Sequence, residues 1–500
     1  MYASQISCSP AATLFLGALN RRKFLKYAGA TGAVVGASAL GLNYLLKPMI
    51  TRLTYELSKV VNSKIYDIRV DVEISNPAKR LLSVQVALEP VVYTYLPSEA
   101  FTNEQSKATM LQTTGLENEL LSAYFTNLKG GREYDVKAST NDGSAMVDTR
   151  TLRTEYVREF ENIAALDDMT VIADYYTWYM IPPNSWYDNG RSVHVYWPLL
   201  GEYDSADPIV ISKHIDWATG YGIDAFAISW CGDTNTNPNN PGANPSDLTS
   251  FEDAFLKHPM LNQMKFFILY ENNDRIRIEN PNEPSEKWIE DLNDPFNRER
   301  LVSDFLYLAK YFSNPSYLKV GGKPAVIFDY AASFRGDIKD TFNEVRDKVR
   351  ENSGYELYLV NDLGMRAFDP QEIVNDGHPH ILELVESTDA IGYGVDLGPQ
   401  AEECYAAWHN IAIEHEKDYL PYSQPGLEAP QWTMDAIPAL PRVPRNPKLF
   451  RTLIHLSKKY STHKMIGIKA FNDWDWGQAI EPAKEYGFEY LEIVKSSLMN

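Results

Sequence analysis

The stretch DPIVISKHIDWATGYGIDAFAISW, residues 207–230, decides the fold. Up to Gly222 it reads as an amphipathic helix, and IDAFAISW (223–230) reads as an apolar strand directly after it. The same alternation runs outward from there. VIADYYTWY (171–179) precedes that helix, KFFILYEN (265–272) precedes NRERLVSDFLYLAKYFSNP, and KPAVIFDY (323–330) precedes DIKDTFNEVRDKVRENSG. ELYLVND (356–362), DAIGYGV (389–395) with the helix QAEECYAAWHNIAIEHEKD, and YLPYSQPGLE (419–428) follow. MIGIKAFNDW (465–474) comes last, between PKLFRTLIHLSKKY and YGFEYLEIVKSSL. About eight strands with intervening helices require parallel strands joined by crossovers, and eight such units close into a (β/α)8 TIM-type barrel over residues 170–500. An open doubly wound sheet would place a glycine-rich phosphate loop after its first strand. Here the first strand runs into DYYTWYMIPPNSW, which cannot serve that purpose.

Ahead of the barrel the pattern is different. YDIRVDVEIS, LLSVQVALEP, SAYFTNL, REYDVKAST and AMVDTRTLRT alternate Ile, Val and Tyr with polar residues between Pro, Gly, Asn and Asp turns. They describe a small β-sandwich over 60–155, and LKGGREYDVKA resembles the turn and strand of fibronectin type III-like domains. All ten tryptophans lie beyond it. Residues 156–169 are a charged connector whose pattern is compatible with a short helix.

The first fifty residues are a separate matter. Arg21-Arg22 with Phe24, Leu25 and Lys26 looks like a twin-arginine export signal, followed by an Ala/Gly-rich apolar run from Tyr27 to Leu46. Residues 37–39, ASA, offer a cleavage site, while the run is also about the ~20 residues needed to cross a bilayer. The expectation is export, with the chain either secreted or held at the cell surface by a single N-terminal membrane anchor. The formal charge is −20, and the basic residues cluster only near this N-terminus. Nucleic acid is therefore not an expected partner, since it demands a basic patch. With three cysteines, one of them Cys8 in the signal region, at most a Cys231–Cys404 disulfide is available. No Cys/His spacing resembles a zinc site, and HPH (378–380) reads as a loop, so no metal is expected.

In a barrel of this kind the active site lies at the C-terminal strand ends. Those ends carry Tyr175, Tyr176, Trp178 and Tyr179; Ser229 and Trp230; Tyr270, Glu271 and Asn272; Asp329 and Tyr330; Asn361 and Asp362; Tyr393; and Asn472, Asp473 and Trp474. Aromatic rings and carboxylates dominate, with scarcely a cation among them. Flat rings suit the C–H face of a sugar and carboxylates suit its hydroxyls, so a neutral oligosaccharide or polysaccharide is the expected ligand. Glycosidases usually need two carboxyl groups, one to protonate the leaving oxygen and one to act as base or nucleophile. Asp473, Asp475, Glu271, Asp329 and Asp362 are the candidates. In extended backbone Asp473 and Asp475 would point to the same side.

ADYYTWY, LGEYDSADPIVISKHIDWATGYGIDAFAISWCG and FNDWDWGQAIEPAKEYGFEYLEIV together resemble the endo-α-mannosidase-type glycoside hydrolases (family 99) and their WbsX-like relatives. The resemblance covers about residues 170–497. It implies a (β/α)8 barrel that acts on α-mannoside-containing or similar glycans without a cofactor. It also implies that the first glutamate of the family's N-E-W-x-E motif, which assists the substrate's own 2-hydroxyl in attacking the anomeric carbon, falls on Asp473. The second glutamate, the general acid/base, falls on Trp476, which cannot transfer a proton. Asp475, or Glu271 or Asp329 from another strand, is then the carboxyl available to replace it. Catalysis would rest on Asp473, Asp475 and Glu271. Sugar contact would rest on Tyr175, Tyr176, Trp178, Tyr179, Trp230, Asn272, Asp329, Asn472, Trp474 and Trp476. The alternative is a catalytically inactive barrel that binds glycan at the cell surface. Glu481-Pro482 reads as a helix start.

Overall fold

A computed structural model describes residues 48–61, 65–90, 106–129, 133–141, 148–153, 158–163, 169–180, 185–188, 190–232, 237–239, 247–281, 288–363, 379–393, 400–431 and 442–499. The proposed export signal, Cys8 and His378 lie outside them.

Residues 49–153 form two antiparallel sheets. One joins β1 (Met49–Val61), β2 (Ile65–Ser75) and β5 (Asn118–Lys129) in the order β1-β2-β5. The other joins β3 (Ser83–Pro90), β4 (Lys107–Gln112), β6 (Glu133–Thr140) and β7 (Asp148–Arg153) in the order β4-β3-β6-β7. Strand alternation makes the core: Ile68, Val70, Val72 and Ile74 face inward while Arg69, Asp71 and Glu73 between them do not. They meet Val84, Val86 and Leu88 of β3 and Tyr134, Val136 and Ala138 of β6 in a hydrophobic core separate from that of the barrel. The chain passes from one sheet to the other between Lys129 and Glu133, since β5 pairs with β2 and β6 with β3. β1 begins well before residue 60, where the sheet pattern was expected to start.

The connector is not helical across its described residues, 158–163. Asp216 accepts the backbone N–H groups of Glu159 and Phe160, at 2.5 and 3.3 Å, and holds this segment against the first barrel helix. Phe160 sits where a side chain on Gly220 would have to be.

The remainder is a closed barrel of eight parallel strands: β8 (Thr170–Tyr175), β9 (Ala225–Trp230), β10 (Lys265–Tyr270), β11 (Lys323–Phe328), β12 (Tyr358–Asp362), β13 (Ala390–Tyr393), β14 (Asp418–Ser423) and β15 (Met465–Ile468). Each pairs with its sequence neighbours, and β15 closes on β8 through Met465–Thr170 to Ile468–Ala173. The outer layer includes α1 (Pro208–Gly220), α2 (Pro295–Leu308), α3 (Ile338–Ser353), α4 (Pro379–Ser387), α5 (Ala401–Glu414), α6 (Pro447–Tyr460) and α7 (Glu489–Leu498). Asp207 and Asp294 cap α1 and α2 through their carboxylates, each with proline in the first turn. The fold is thus a (β/α)8 barrel. His380 lies in α4, so the HPH segment is not wholly a loop. Cys231 and Cys404 form no disulfide.

Candidate functional site

The eighth strand ends at Ile468, earlier than its apolar pattern suggests, and residues 469–482 form a folded loop across the barrel mouth. The same-side argument for Asp473 and Asp475 therefore does not apply. Their placement comes from turns instead. The Asp473 carbonyl accepts the N–H groups of Gln478 and Ala479, at 3.0 and 3.1 Å, and its Oδ1 accepts from Trp476 N at 3.3 Å. Gly477 has φ +62°, and a Cβ there would lie 2.4 Å from the Glu428 carbonyl, so the close approach of these two loops requires glycine.

A buried network anchors this loop from below. His214 of α1 shares a hydrogen bond between Nδ1 and the Tyr175 hydroxyl (2.9 Å) and places Nε2 3.1 Å from Glu481 Oε1. Glu481 Oε2 accepts from the Tyr203 hydroxyl at 2.7 Å and from Trp474 Nε1 at 3.1 Å. Asn472 locks the first strand to the last: it accepts from Tyr176 N and donates to the Tyr176 carbonyl, both at 2.8 Å. Glu481 is fully enclosed and holds the loop; the described residues that follow it begin no helix until Glu489.

These contacts reassign several expected sugar-binding residues. Asn472 is fully buried, with both ends of its amide engaged by the backbone. Tyr175 and Trp474 are buried in the anchoring network. Tyr179 is buried too: its hydroxyl accepts from Trp474 N at 2.9 Å and donates to Asp475 Oδ1 at 3.2 Å. Trp230 faces the helical layer, between Tyr270 and Tyr307 and beneath the Arg275 guanidinium. Asn272 is enclosed and donates to Glu290 at 2.5 Å. An outward or fully packed side chain at a strand end cannot meet a ligand, so these six support the site rather than line it. Trp178 and Trp476 are half-buried, and Tyr176 and Asp329 keep a small open edge.

The carboxyls converge as two groups. Asp473 is 2% exposed, and burial, helped by the neighbouring Asp475 charge, pushes its carboxyl up to about 8. Half-buried Asp475 is pushed up to about 7 by burial, against the pull of the Tyr179 hydroxyl. Glu271 and Asp329 form the second group. The β10–β11 register pairs Tyr270 with Phe328, so the two carboxyls follow at neighbouring strand ends. Ser229 Oγ donates to Glu271 Oε1 at 2.6 Å. Burial and then the Asp329 charge push Glu271 well above the usual carboxylate range.

A cation does stand at the strand ends, contrary to expectation. Lys469 is buried, with Nζ 2.6 Å from Asp362 Oδ2 and 3.3 Å from Asp329 Oδ1. Burial would push its ammonium down, but Asp362, Asp329 and Asp174 outweigh that and hold it up. Asp174 is fully buried, and burial pushes its carboxyl well up despite Lys469. Lys469 and Asp174 were hidden in sequence within the apolar runs MIGIKAF and VIADYY; a charge inside a buried strand was the available signal. Glu428 was also passed over. It follows β14, accepts from the Tyr196 hydroxyl and from Arg445 N (3.1 Å), and its backbone N–H bonds the Trp476 carbonyl at 3.0 Å. Among the described residues no group of His, Cys, Asp and Glu has the geometry of a metal site.

No protein-family model matches the chain. It is 27% identical over 207 residues to the "Uncharacterized protein WxcX" of Xanthomonas campestris pv. campestris, in each of two strains, a match covering 38% of this chain. The chain spans 29% of the length of these curated relatives. Among solved structures it is similar to the GH99 endo-alpha-mannosidase from Bacteroides thetaiotaomicron, at 16% identity and a TM-score of 0.47, covering 67% of this chain and 97% of that one. It is also similar to a "Glycoside hydrolase-like protein", at 20% identity and a TM-score of 0.49, covering 68% and 95%.

Proposed function

We propose that this is an exported glycoside hydrolase-like protein acting on neutral, α-mannose-containing or similar glycans, without a cofactor. One observation carries the reading: two carboxyl pairs, Asp473–Asp475 from the loop after β15 and Glu271–Asp329 from the ends of β10 and β11, stand at one barrel mouth, with burial raising all four above the ordinary carboxylate range. Glycoside cleavage needs such a set, in which one group holds a proton and another has lost it at the same pH. Half-buried Trp178 and Trp476 supply ring faces beside it.

Asp473 is the group to take a proton from the attacking hydroxyl, and a carboxylic acid across the mouth serves the leaving oxygen. Export by the twin-arginine route, with secretion or an N-terminal anchor, belongs to the same proposal and rests on residues 21–46.

The test is cleavage of α-mannan and a panel of neutral oligosaccharides by the chain lacking residues 1–46, with products read by mass spectrometry. Product from the parent that vanishes in Asp473→Asn supports the reading. A second reading, a glycan binder without catalysis, is favoured by Trp476 standing in place of an acid, with its N–H on the Asp473 carboxyl. It predicts binding of one glycan and no product from the parent.

A further inference from the structure

Several barrel strands bring a carboxyl to this mouth or to the lumen beneath it, and among the described residues Lys469 is a cation set between them. Lys469 reaches from the end of β15 and is shared by Asp362 at the end of β12 and Asp329 at the end of β11. Asp362 is 1% exposed and Asp174 is closed off entirely, whereas Glu271 and Asp329 are each 6% exposed. The open edge of the cluster therefore belongs to Glu271 and Asp329. Within that pair the environments differ. Asp329 lies 3.3 Å from the ammonium, while Glu271 has the Ser229 hydroxyl at 2.6 Å and packs toward Asp329. Asp274, in the short helix Asn272–Arg275 that follows it, and Lys469 also act on Glu271, and Glu271 in turn acts on Tyr176 after the first strand.

Two neighbouring buried carboxyls cannot both ionise without a large repulsion, so at neutral pH they hold a proton between them. The Lys469 charge decides where it rests. We propose that Lys469, held in place by Asp362, fixes Asp329 as the ionised partner, and that Glu271 keeps the proton and gives it to the leaving oxygen. Asp329, Lys469 and Asp362 are then positioning residues, and Glu271 is the catalytic acid. Burial raises both carboxyls; the Asp362 charge adds to this at Asp329, while Lys469 and the hydrogen bond from Glu271 hold Asp329 back, which agrees with that placement. The proposal rests on the glycoside-cleaving reading of the site.

The step balances. The Glu271 O–H bond breaks as its proton passes to the glycosidic oxygen. The bond from that oxygen to the anomeric carbon breaks with its electron pair on oxygen, which departs as a neutral alcohol. The anomeric carbon accepts a pair from the attacking hydroxyl or water, whose proton passes to Asp473 in the fraction of molecules where it has ionised, a fraction that grows as pH rises toward about 8. Nothing is oxidised or reduced, and one proton leaves the site's acid as one arrives at its base.

The experiment compares the parent with Glu271→Gln, Asp329→Asn and Ser229→Ala on a glycan and on an activated aryl glycoside, whose leaving group needs no proton. Glu271→Gln should lose ~10²–10⁴-fold on the glycan and less than about tenfold on the aryl glycoside. Asp329→Asn removes the neighbouring charge, so the alkaline limb of kcat/KM should move to lower pH. Ser229→Ala removes a donor to the ionised form of Glu271, so the same limb should move to higher pH. Shifts of opposite sign are not produced by general damage to the fold. Equal losses on both substrates, or limbs that do not move apart, overturn the proposal. A parent that cleaves neither substrate overturns the glycosidase reading and Glu271's role as acid with it. The proton placement is then judged by infrared difference spectra at neutral pH. A protonated-carboxyl band in the parent that Glu271→Gln abolishes upholds the placement, and no such difference overturns that too.

Discussion

Among the described residues of the two-sheet unit, the buried polar side chains are Asn76, Thr113 and Thr140, none of them charged. The barrel encloses Asp174, His214, Glu271, Arg275, Glu290, Asp304, Asp329, Asp362, Lys469, Asp473 and Glu481. The contrast is physical before it is functional. A buried charge costs several kcal/mol unless it is paired or neutralised, so a unit that needs only to stand can fill its core with Val, Ile and Leu. Within the barrel the buried charges fall into two kinds. Arg275 is matched to Asp304 at 2.8 and 2.6 Å, with the Tyr270 hydroxyl as a third member. Asp174, Glu271 and Asp473 have no such match, and burial pushes their carboxyls up toward the protonated form; burial raises Asp304 too, but Arg275 and the Tyr270 hydroxyl pull it back. Charge that is satisfied holds the scaffold; charge left unsatisfied at the mouth is available for chemistry.

The contrast breaks first, if it is wrong, at Asp473. Asp473→Asn should cost ~10²–10⁴-fold in glycan cleavage, read from product formation under saturating substrate. Next comes the satisfied pair. Asp304→Ala leaves a buried guanidinium uncompensated and should destabilise the barrel by ~3–5 kcal/mol in urea unfolding. Leu88→Ala in the two-sheet unit should cost a comparable ~2–5 kcal/mol there while leaving cleavage by the barrel unchanged. Loss of activity in that variant would show that the two units are energetically one.

Acidity sharpens the comparison further. Asp473 and Asp475 are raised from an ordinary 3.8 to about 8 and about 7, so the folded chain binds more protons than the unfolded chain between those limits. Their contribution to stability is complete below about pH 4 and is lost as pH rises through 7 and 8. The melting temperature should therefore fall between pH 5 and pH 9, and the Asp473→Asn, Asp475→Asn double variant should flatten that fall. Asp475→Asn alone removes a charge that helps hold Asp473 up, so the acidic limb of cleavage should move to lower pH. The smallest effect is expected at the rings. Trp178→Ala should weaken glycan binding by about tenfold, ~1.4 kcal/mol, in calorimetry without moving either pH limb.

Much of the fold was legible because its signals are local. Each barrel strand coincides with an apolar run, and helix starts such as Asp207-Pro208 satisfy their own backbone donors within a few residues. The boundaries were less legible where the apolar pattern outlasts the ladder. AFNDW continues the pattern of β15, yet the chain leaves the sheet at Ile468 to fold over the mouth. The candidate site was half legible. Glu271 and Asp329 directly follow their strands, whereas Asp473 and Asp475 lie in the loop beyond β15 and are placed by turns. Trp230, Asn272 and Asn472 sit equally close in sequence but point into packing, because side-chain direction depends on the neighbouring strand and helix.

The sequence by itself determined the strand–helix alternation, the eightfold closure that follows from it, and the carboxyl and aromatic residue types carried near the strand ends. Periodicity and residue type are properties of the chain alone. Only the tertiary structure decided which carboxyls lie side by side and which aromatic rings remain partly open. It also decided that one lysine from the last strand sits between aspartates of the fourth and fifth. Those outcomes depend on distance and burial between segments more than a hundred residues apart, and electrostatic energy is set by that separation and by the exclusion of water.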